Sequence, residues 1–343
     1  MCSKNLHLNM RLFFRSLAPL LLAAIALAGP ARAQQSSFFN QEALAEILNR
    51  PQVPLEELPD VYYDYHVIGD ETGNTVFARN RFYNAIGGGD SELGHKRSGL
   101  VELLNRKLMA DVRVGDTLVV PTDWDLDFRA YSPFPRRYEG AAPLGKLFII
   151  HKTLQAFAAY QDGELVRWGV VNTGNKDTSP TPTGRYNFNW REEHRVSSLS
   201  PRDAAGNITE SWDMYWVMNI HLERGVHFHQ YAMPTGGPTS HGCIRAVDAD
   251  AKWVYDWADS WTAAGGNTFT SIGTRLTKPG TTVLVLGDDP KTAPSPFVFR
   301  RRYPILAKTE LPASPWDVPP GTAQQVRWDR ERVAAERQAS AKK

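Results

Sequence analysis

The chain has 343 residues, of which 42% are hydrophobic and 22% are charged, a composition typical of a globular protein with a sizeable core. Its 39 basic and 37 acidic residues nearly balance, and four of the basic residues lie in the first 33 positions, so nucleic acid is excluded as a partner. Two cysteines are too few for a disulfide framework or a four-cysteine zinc site.

The N-terminus has the pattern of an export signal. Three basic residues precede an apolar run over residues 17–28, and Ala31-Arg32-Ala33 is a small-x-small cleavage site. The apolar run is shorter than the roughly 20 residues that a membrane-spanning helix needs, which favours a cleaved signal over an uncleaved anchor. We therefore expect residues 1–33 to be removed, which leaves a periplasmic or cell-envelope protein with Cys243 as its one cysteine.

Residues 34–143 predict a small α/β accessory domain. The patterns indicate a helix over 41–48, a strand over 64–68 and a short amphipathic helix over 100–109. Residues 112–121 resemble the closing strand of a LysM peptidoglycan-binding module. The opening strand lacks the usual glycine-aspartate-threonine-leucine turn, so a degenerate LysM module and another kind of accessory domain both stay open.

Residues 144–288 predict a domain that is mainly β with one helix, over residues 251–261. The predicted strands are residues 147–150, 156–160, 165–172, 185–188, 215–220, 226–230 and 282–286. Residues 289–343 predict a proline-rich linker followed by a charged C-terminal tail. The helix expected from residue 324 onward has no sustained apolar stripe, so we expect it to be solvated or disordered.

The segment Ser240-His241-Gly242-Cys243-Ile244-Arg245, with His227 and His229 upstream, has the pattern of a cysteine nucleophile. A neighbouring imidazole can take up the thiol proton. The glycine before the cysteine permits a tight turn that presents backbone amides to a developing oxyanion. The arginine two residues further on can bind a carboxylate through its planar guanidinium.

This segment resembles the catalytic domain of the L,D-transpeptidase family, the YkuD-like fold. The family signature is a histidine on a strand, a short loop, and Ser/Thr-His-Gly-Cys followed by an apolar residue and Arg or Asn. Residues 181–184, the hairpin turn at 162–164 and residues 279–283 agree with it. The resemblance covers residues 145–287 and implies a β-rich catalytic domain preceded by the small α/β domain.

The resemblance implies an acyl transfer between peptidoglycan stem peptides, one as donor and one as acceptor. Cys243 would attack the carbonyl at the L-centre of the third stem residue, expel the terminal D-alanine and form a thioester that an amine from a second stem resolves. The amides of His241, Gly242 and Cys243 would form the oxyanion hole, and Ser240 and Arg245 would bind substrate. The chemistry needs no cofactor or metal, and the enzyme would act at the periphery of the cell wall without a transmembrane span.

Two histidines compete for the role of general base. They are two residues apart on a predicted strand and face the same side. The family places apolar residues one and three positions before the base, which fits His229, preceded by Phe228 and Val226, better than His227, preceded by Val226 and Arg224. We therefore prefer His229, with His227 as the alternative. Neither is followed by the usual glycine, which leaves the type of cross-link open.

Other functions use the same residues. His227, His229, His241 and Cys243 have the donor types of a zinc site, but no glutamate is placed as a catalytic partner. A sortase is disfavoured, because its arginine lies much further along the chain from the cysteine than Arg245 does from Cys243. A carboxypeptidase or amidase-type hydrolase on the same thioester stays open, as does a non-catalytic cell-wall binding protein, which the intact cysteine disfavours.

Overall fold

A computed structural model describes residues 38–233, 237–263 and 276–341. The predicted export signal, residues 1–33, lies outside these residues. Residues 36–343 are assigned to one compact unit. Within the described part of the chain, no helix is both long enough and apolar enough to cross a membrane.

The N-terminal segment folds as helix, strand, two helices and strand. Asn40 caps the first helix by accepting a hydrogen bond from the Ala43 amide at 3.1 Å, which confirms the predicted helix over 41–48. The predicted strand over 64–68 is confirmed to within one residue, whereas the helix predicted over 100–109 begins earlier, at residue 91, and ends at residue 105. The elements are α1 (Gln41–Leu48), β1 (Tyr63–Val67), α2 (Thr75–Ile86), α3 (Ser91–Asn105) and β2 (Thr117–Pro121).

Eleven further strands and one helix follow within the described residues. They are β3 (Lys146–His151), β4 (Ala156–Gln161), β5 (Glu164–Val170), β6 (Gly184–Asn187), β7 (Arg191–Val196), β8 (Asp213–His221), β9 (Val226–Gln230), β10 (Ile244–Ala246), α4 (Asp248–Trp257), β11 (Thr262–Ala263), β12 (Leu276–Lys278) and β13 (Thr282–Leu286). One sheet has the strand order β5-β4-β3-β13-β6, and a second has the order β10-β9-β8-β7. The predicted β-rich fold is therefore confirmed, and the charged strand β7 was not predicted.

The five-stranded sheet is buried on both faces. On β3, Leu147 faces the N-terminal segment, whereas its neighbour Phe148 faces the second sheet and lies 5.1 Å from the Phe228 ring, between ring centroids. On β5, Trp168 stacks on Phe128 of the N-terminal segment at 4.5 Å. A sheet covered on both sides explains the unbroken apolar run of β3.

The C-terminal segment packs on the rest of the unit. It contains β14 (Phe297–Phe299), β15 (Pro304–Leu306) and α5 (Ala323–Ser340). The Arg185 guanidinium on β6 binds both carboxylate oxygens of Asp329 on α5, at 2.9 and 2.7 Å. The charged helix expected from residue 324 onward is thus present as α5, and most of its described side chains are exposed or half-buried, as expected for a solvated helix. The ion pair attaches it to β6, an attachment that the sequence did not predict. The proposed domain boundaries stay a prediction.

A buried ion pair joins the five-stranded sheet to α4. The Arg167 Nε lies 2.7 Å from the Asp250 Oδ1, and both side chains are buried. We expect Arg167→Met to lower the free energy of unfolding by about 3–5 kcal/mol, because it leaves a buried carboxylate without its partner. Urea unfolding measures this loss. Lys96→Met, at the exposed pair with Glu92, is the control and should change stability little; an equal effect of both variants would contradict the prediction.

Candidate active site

The pairing of β9 with β10 brings Cys243 beside a histidine. The two strands are parallel, and Ile244 is opposite Phe228, so the residue before each of them is adjacent as well. The Cys243 Sγ consequently lies 3.7 Å from the His227 Nδ1 and 3.7 Å from the backbone oxygen of Gly225. Cys243 is half-buried, and His227 is buried.

His229 lies further along the same face of β9. Its Nδ1 is 2.8 Å from the backbone oxygen of Gln230, and its strand partner is Arg245 and not Cys243. The geometry therefore favours His227 over His229 as the general base, which reverses the preference drawn from the sequence. Apolar residues one position before a histidine show only that the opposite face of the strand is buried, and this holds for both histidines. The strand register decides which of the two lies beside Cys243.

The turn that carries Cys243 is fixed by hydrogen bonds. Gly242 has a φ of +109°, in the region that favours glycine. The Thr181 hydroxyl donates to the backbone oxygen of Gly242 at 2.8 Å and accepts from the Gly174 amide at 2.9 Å. The Ser240 hydroxyl donates to the backbone oxygen of Cys243. Thr181, the first residue of the segment 181–184 that was identified in the sequence as a family feature, thus contacts the turn that carries Cys243 directly.

The backbone amides of this turn are not equivalent. The Gly242 amide donates to the Ser240 Oγ at 3.2 Å. Among the described residues, the amides of His241 and Cys243 have no hydrogen-bond acceptor. The geometry therefore favours two oxyanion donors where the sequence predicts three. It also favours a structural role for the buried Ser240 hydroxyl, which is engaged within the turn.

Burial keeps the cysteine and both histidines uncharged at neutral pH. It lowers the pKa of His227 to about 3, assisted by His229 and Arg195. It lowers the pKa of His229 to about 4, although a hydrogen bond to a backbone carbonyl opposes the shift. Burial also raises the pKa of the Cys243 thiol, against the opposing effects of His227 and Arg245. The resting pair is a thiol and a neutral imidazole that can accept its proton during attack.

The raised thiol pKa predicts slow alkylation at neutral pH. In residues 34–343, which contain Cys243 alone, iodoacetamide should react more slowly at pH 7 than with a cysteine in an unstructured peptide, whose pKa is about 8.5. The rate should rise about tenfold per pH unit from pH 7 to 8.5, as the thiolate fraction grows. Mass spectrometry measures the alkylated fraction. A rate that is already constant between pH 6 and 8 would indicate a preformed thiolate and imidazolium, contrary to this prediction.

A cleft of about 550 Å³ opens onto Cys243. Three arginines line it, Arg195, Arg224 and Arg245, and none of the described lining residues is acidic. Trp212 stacks on His241, with ring centroids 6.0 Å apart. Sequence reasoning missed Arg195, Arg224 and Trp212, because strands and loops outside the cysteine segment bring them to the cleft. In the part of the chain that the structure describes, no three His, Cys, Asp or Glu side chains are grouped to hold a metal ion.

A family model matches the region that contains this cleft. Residues 145–285 match the family model YkuD, the L,D-transpeptidase catalytic domain. L,D-transpeptidase 2 of Mycobacterium tuberculosis (strain CDC 1551 / Oshkosh) is 30% identical over 101 residues, which are 28% of this chain and 24% of that protein. This chain thus spans about a quarter of the curated relative.

The comparison with solved structures finds L,D-transpeptidases at low TM-scores. The enzyme from Mycobacterium smegmatis is 19% identical, with a TM-score of 0.31, over 42% of this chain and 59% of that one. Residues 123–326 of the Xylanimonas cellulosilytica DSM 15894 enzyme are 22% identical, with a TM-score of 0.35, over 69% and 100%. The family-model match identifies residues 145–285, which are less than half of this chain, as similar to the YkuD family of L,D-transpeptidase catalytic domains.

Proposed function

We propose that this chain is an exported L,D-transpeptidase that cross-links peptidoglycan stem peptides through a thioester on Cys243. The observation that carries the proposal is the contact of the Cys243 Sγ with the His227 Nδ1 at 3.7 Å, inside a domain of this family. The cleft beside this contact is open enough to admit a peptide.

In the first half-reaction, the Sγ attacks the donor carbonyl carbon while the His227 Nδ1 takes the thiol proton. The amides of His241 and Cys243 donate to the carbonyl oxygen as it gains negative charge. When the tetrahedral intermediate collapses, the C–N bond to the terminal D-alanine breaks, and His227 returns the proton to the leaving amine. The stem is then held as a thioester.

In the second half-reaction, an acceptor amine attacks the thioester carbonyl. Its proton passes to His227, and then to the sulfur as the C–S bond breaks. One peptide bond has been broken and one formed, so no cofactor is consumed. Water in place of the amine would give hydrolysis on the same site.

The charge of the cleft supports a substrate that carries carboxylates. Arg195 is paired with Glu192 at 2.9 Å, whereas Arg224 and Arg245 have no ion pair among the described residues. Stem peptides carry several carboxylates, and planar guanidinium groups bind them in a bidentate manner. Arg224 and Arg245 are therefore the proposed substrate-binding cations, one on each side of Cys243 along the chain.

The test is mass spectrometry of purified disaccharide-tetrapeptide incubated with residues 34–343, wild type beside Cys243→Ala. Dimers formed by the wild type alone would support transpeptidation, and fragmentation would distinguish a 3-3 from a 1-3 bond. Trimmed monomers alone would replace the proposal by a hydrolase. Unchanged substrate at every stem length would contradict catalysis and favour a binding protein.

The Thr181 hydroxyl is expected to position the nucleophile turn. Thr181→Val keeps the shape of the side chain but removes its bonds to the Gly242 oxygen and the Gly174 amide. We expect kcat to fall roughly 10- to 100-fold with KM little changed, because the turn and its amides shift relative to the substrate carbonyl. Thr181→Ser, which keeps the hydroxyl, should recover most of the rate. Full activity in Thr181→Val, or equal loss in both variants, would contradict this role.

A further inference from the structure

The turn between β14 and β15 forms an exposed basic and aromatic surface, which we call the hairpin tip. It consists of residues 299–303, Phe-Arg-Arg-Arg-Tyr. All three arginines are exposed. The aromatic residues on either side are exposed as well, Phe299 by 62% and Tyr303 by 51%. Exposed aromatic side chains grouped beside basic residues are typical of an interaction surface.

The hairpin tip is held firmly on the strand β1. The Phe299 ring stacks on the Tyr65 ring with centroids 6.3 Å apart. Two residues earlier on each strand, the rings of Phe297 and Tyr63 are in contact, with centroids 4.8 Å apart. The Tyr65 hydroxyl also donates to the backbone oxygen of Arg300 at 2.8 Å. The arginines are thus presented on a supported turn, which lowers the entropic cost of binding through them.

The charge of the hairpin tip is not neutralised by the described residues. None of its arginines forms an ion pair there, whereas Arg129, Arg167 and Arg185 are each paired with an aspartate. The side chains of β1 that share the tip's face are Tyr63, Tyr65 and Val67. Asp60 and Asp64 line a pocket together with Tyr303, but neither forms an ion pair with an arginine of the tip. Three adjacent cations without an anion require a negatively charged partner or water.

We propose that the hairpin tip docks on an anionic phospholipid bilayer. Guanidinium groups bind lipid phosphates, and juxtamembrane basic clusters are attracted to anionic surfaces. Aromatic side chains such as Phe299 and Tyr303 are favoured at the level of the headgroups. The exposed aromatics favour a bilayer over a soluble polyanion, because a purely ionic partner would leave their apolar surface in water. The tip would hold the enzyme at a membrane surface while the cleft at Cys243 stays accessible.

Vesicle sedimentation tests the proposal with residues 34–343, which contain the whole compact unit without the predicted signal. We expect at least tenfold stronger binding to vesicles of 30% phosphatidylglycerol in phosphatidylcholine than to phosphatidylcholine alone, at about 0.1 M salt. The triple variant Arg300→Gln, Arg301→Gln, Arg302→Gln should lose at least tenfold. Phe299→Ser with Tyr303→Ser should lose at least threefold. The charge-matched control, Lys96→Gln, Lys176→Gln, Lys252→Gln, should bind like the wild type.

Equal binding to both vesicle types, or equal loss in the control and the arginine variant, would overturn the proposal. Loss in the arginine variant with full binding in the aromatic variant would also overturn it and would favour a soluble polyanion. Activity on soluble disaccharide-tetrapeptide should be the same in the tip variants and the wild type, because no tip residue lines the cleft. Membrane binding is thus measured independently of the proposed catalysis.

Discussion

Replacing Cys243 with alanine is expected to lower the rate of cross-link formation by about 10⁴-fold or more, because the reaction then has no nucleophile to form the thioester. The predicted mature chain contains no second thiol that could substitute. Incubation with disaccharide-tetrapeptide, followed by mass spectrometry of both products and protein, measures the loss and the absence of an acyl-enzyme adduct.

The control for this variant is its stability. Alanine fits the space of the cysteine, so the thermal unfolding midpoint should stay within a few degrees of the wild-type value. Binding of the substrate should also persist, because Arg224 and Arg245 are unchanged. Cross-linking that persists in a folded Cys243→Ala protein would disprove covalent catalysis by this residue.

Replacing His227 with alanine is expected to lower kcat by about 10²–10⁴-fold, the usual cost of removing a general base. His229→Ala should cost much less, roughly tenfold or below, because its ring contacts a backbone carbonyl and not the thiol. Steady-state kinetics of the two variants at pH 7 measure the difference. A larger loss in His229→Ala would restore the base preferred from the sequence.

The pH dependence provides a second measure of the same residue. A base must be neutral to accept a proton, and burial lowers the pKa of His227 to about 3. Protonation of this imidazole should therefore reduce activity only as the pH falls towards about 3. A loss of activity centred near pH 6.5 would indicate an exposed histidine as the base.

The turn that carries the proposed nucleophile was predictable because its determinants are adjacent in the sequence. Ser240 to Arg245 form one turn, and the glycine before the cysteine is required by its positive φ. The choice of base was not predictable, since it depends on which residue of β9 is opposite Cys243. That register is set by the packing of Phe228 against Phe148 of the other sheet, which no local pattern contains.

The attachment of the C-terminal segment to β6 was not predictable for a similar reason. Helix α5 has few apolar residues, and its attachment uses charge and aromatic contacts with distant residues. The indole of Trp316 lies against the guanidinium of Arg185 at 4.5 Å and that of Arg332 at 4.0 Å. Hydrophobic periodicity detects burial of apolar side chains, and it cannot detect an arginine whose partners are more than 100 residues away.

The segment 319–321 pairs with strand β6. The folding unit is therefore larger than residues 145–285, the region that matches the family model. The Arg185 amide donates to the backbone oxygen of Pro319, and the Gly321 amide donates to the backbone oxygen of Arg185. A fragment cut to residues 145–285 would leave these backbone groups on β6 without partners. It would also expose Trp168, because Phe128, which stacks on it, would be missing. The two segments that flank residues 145–285 thus cover one face of the sheet and the β6 edge, which would otherwise be open to pairing with another copy.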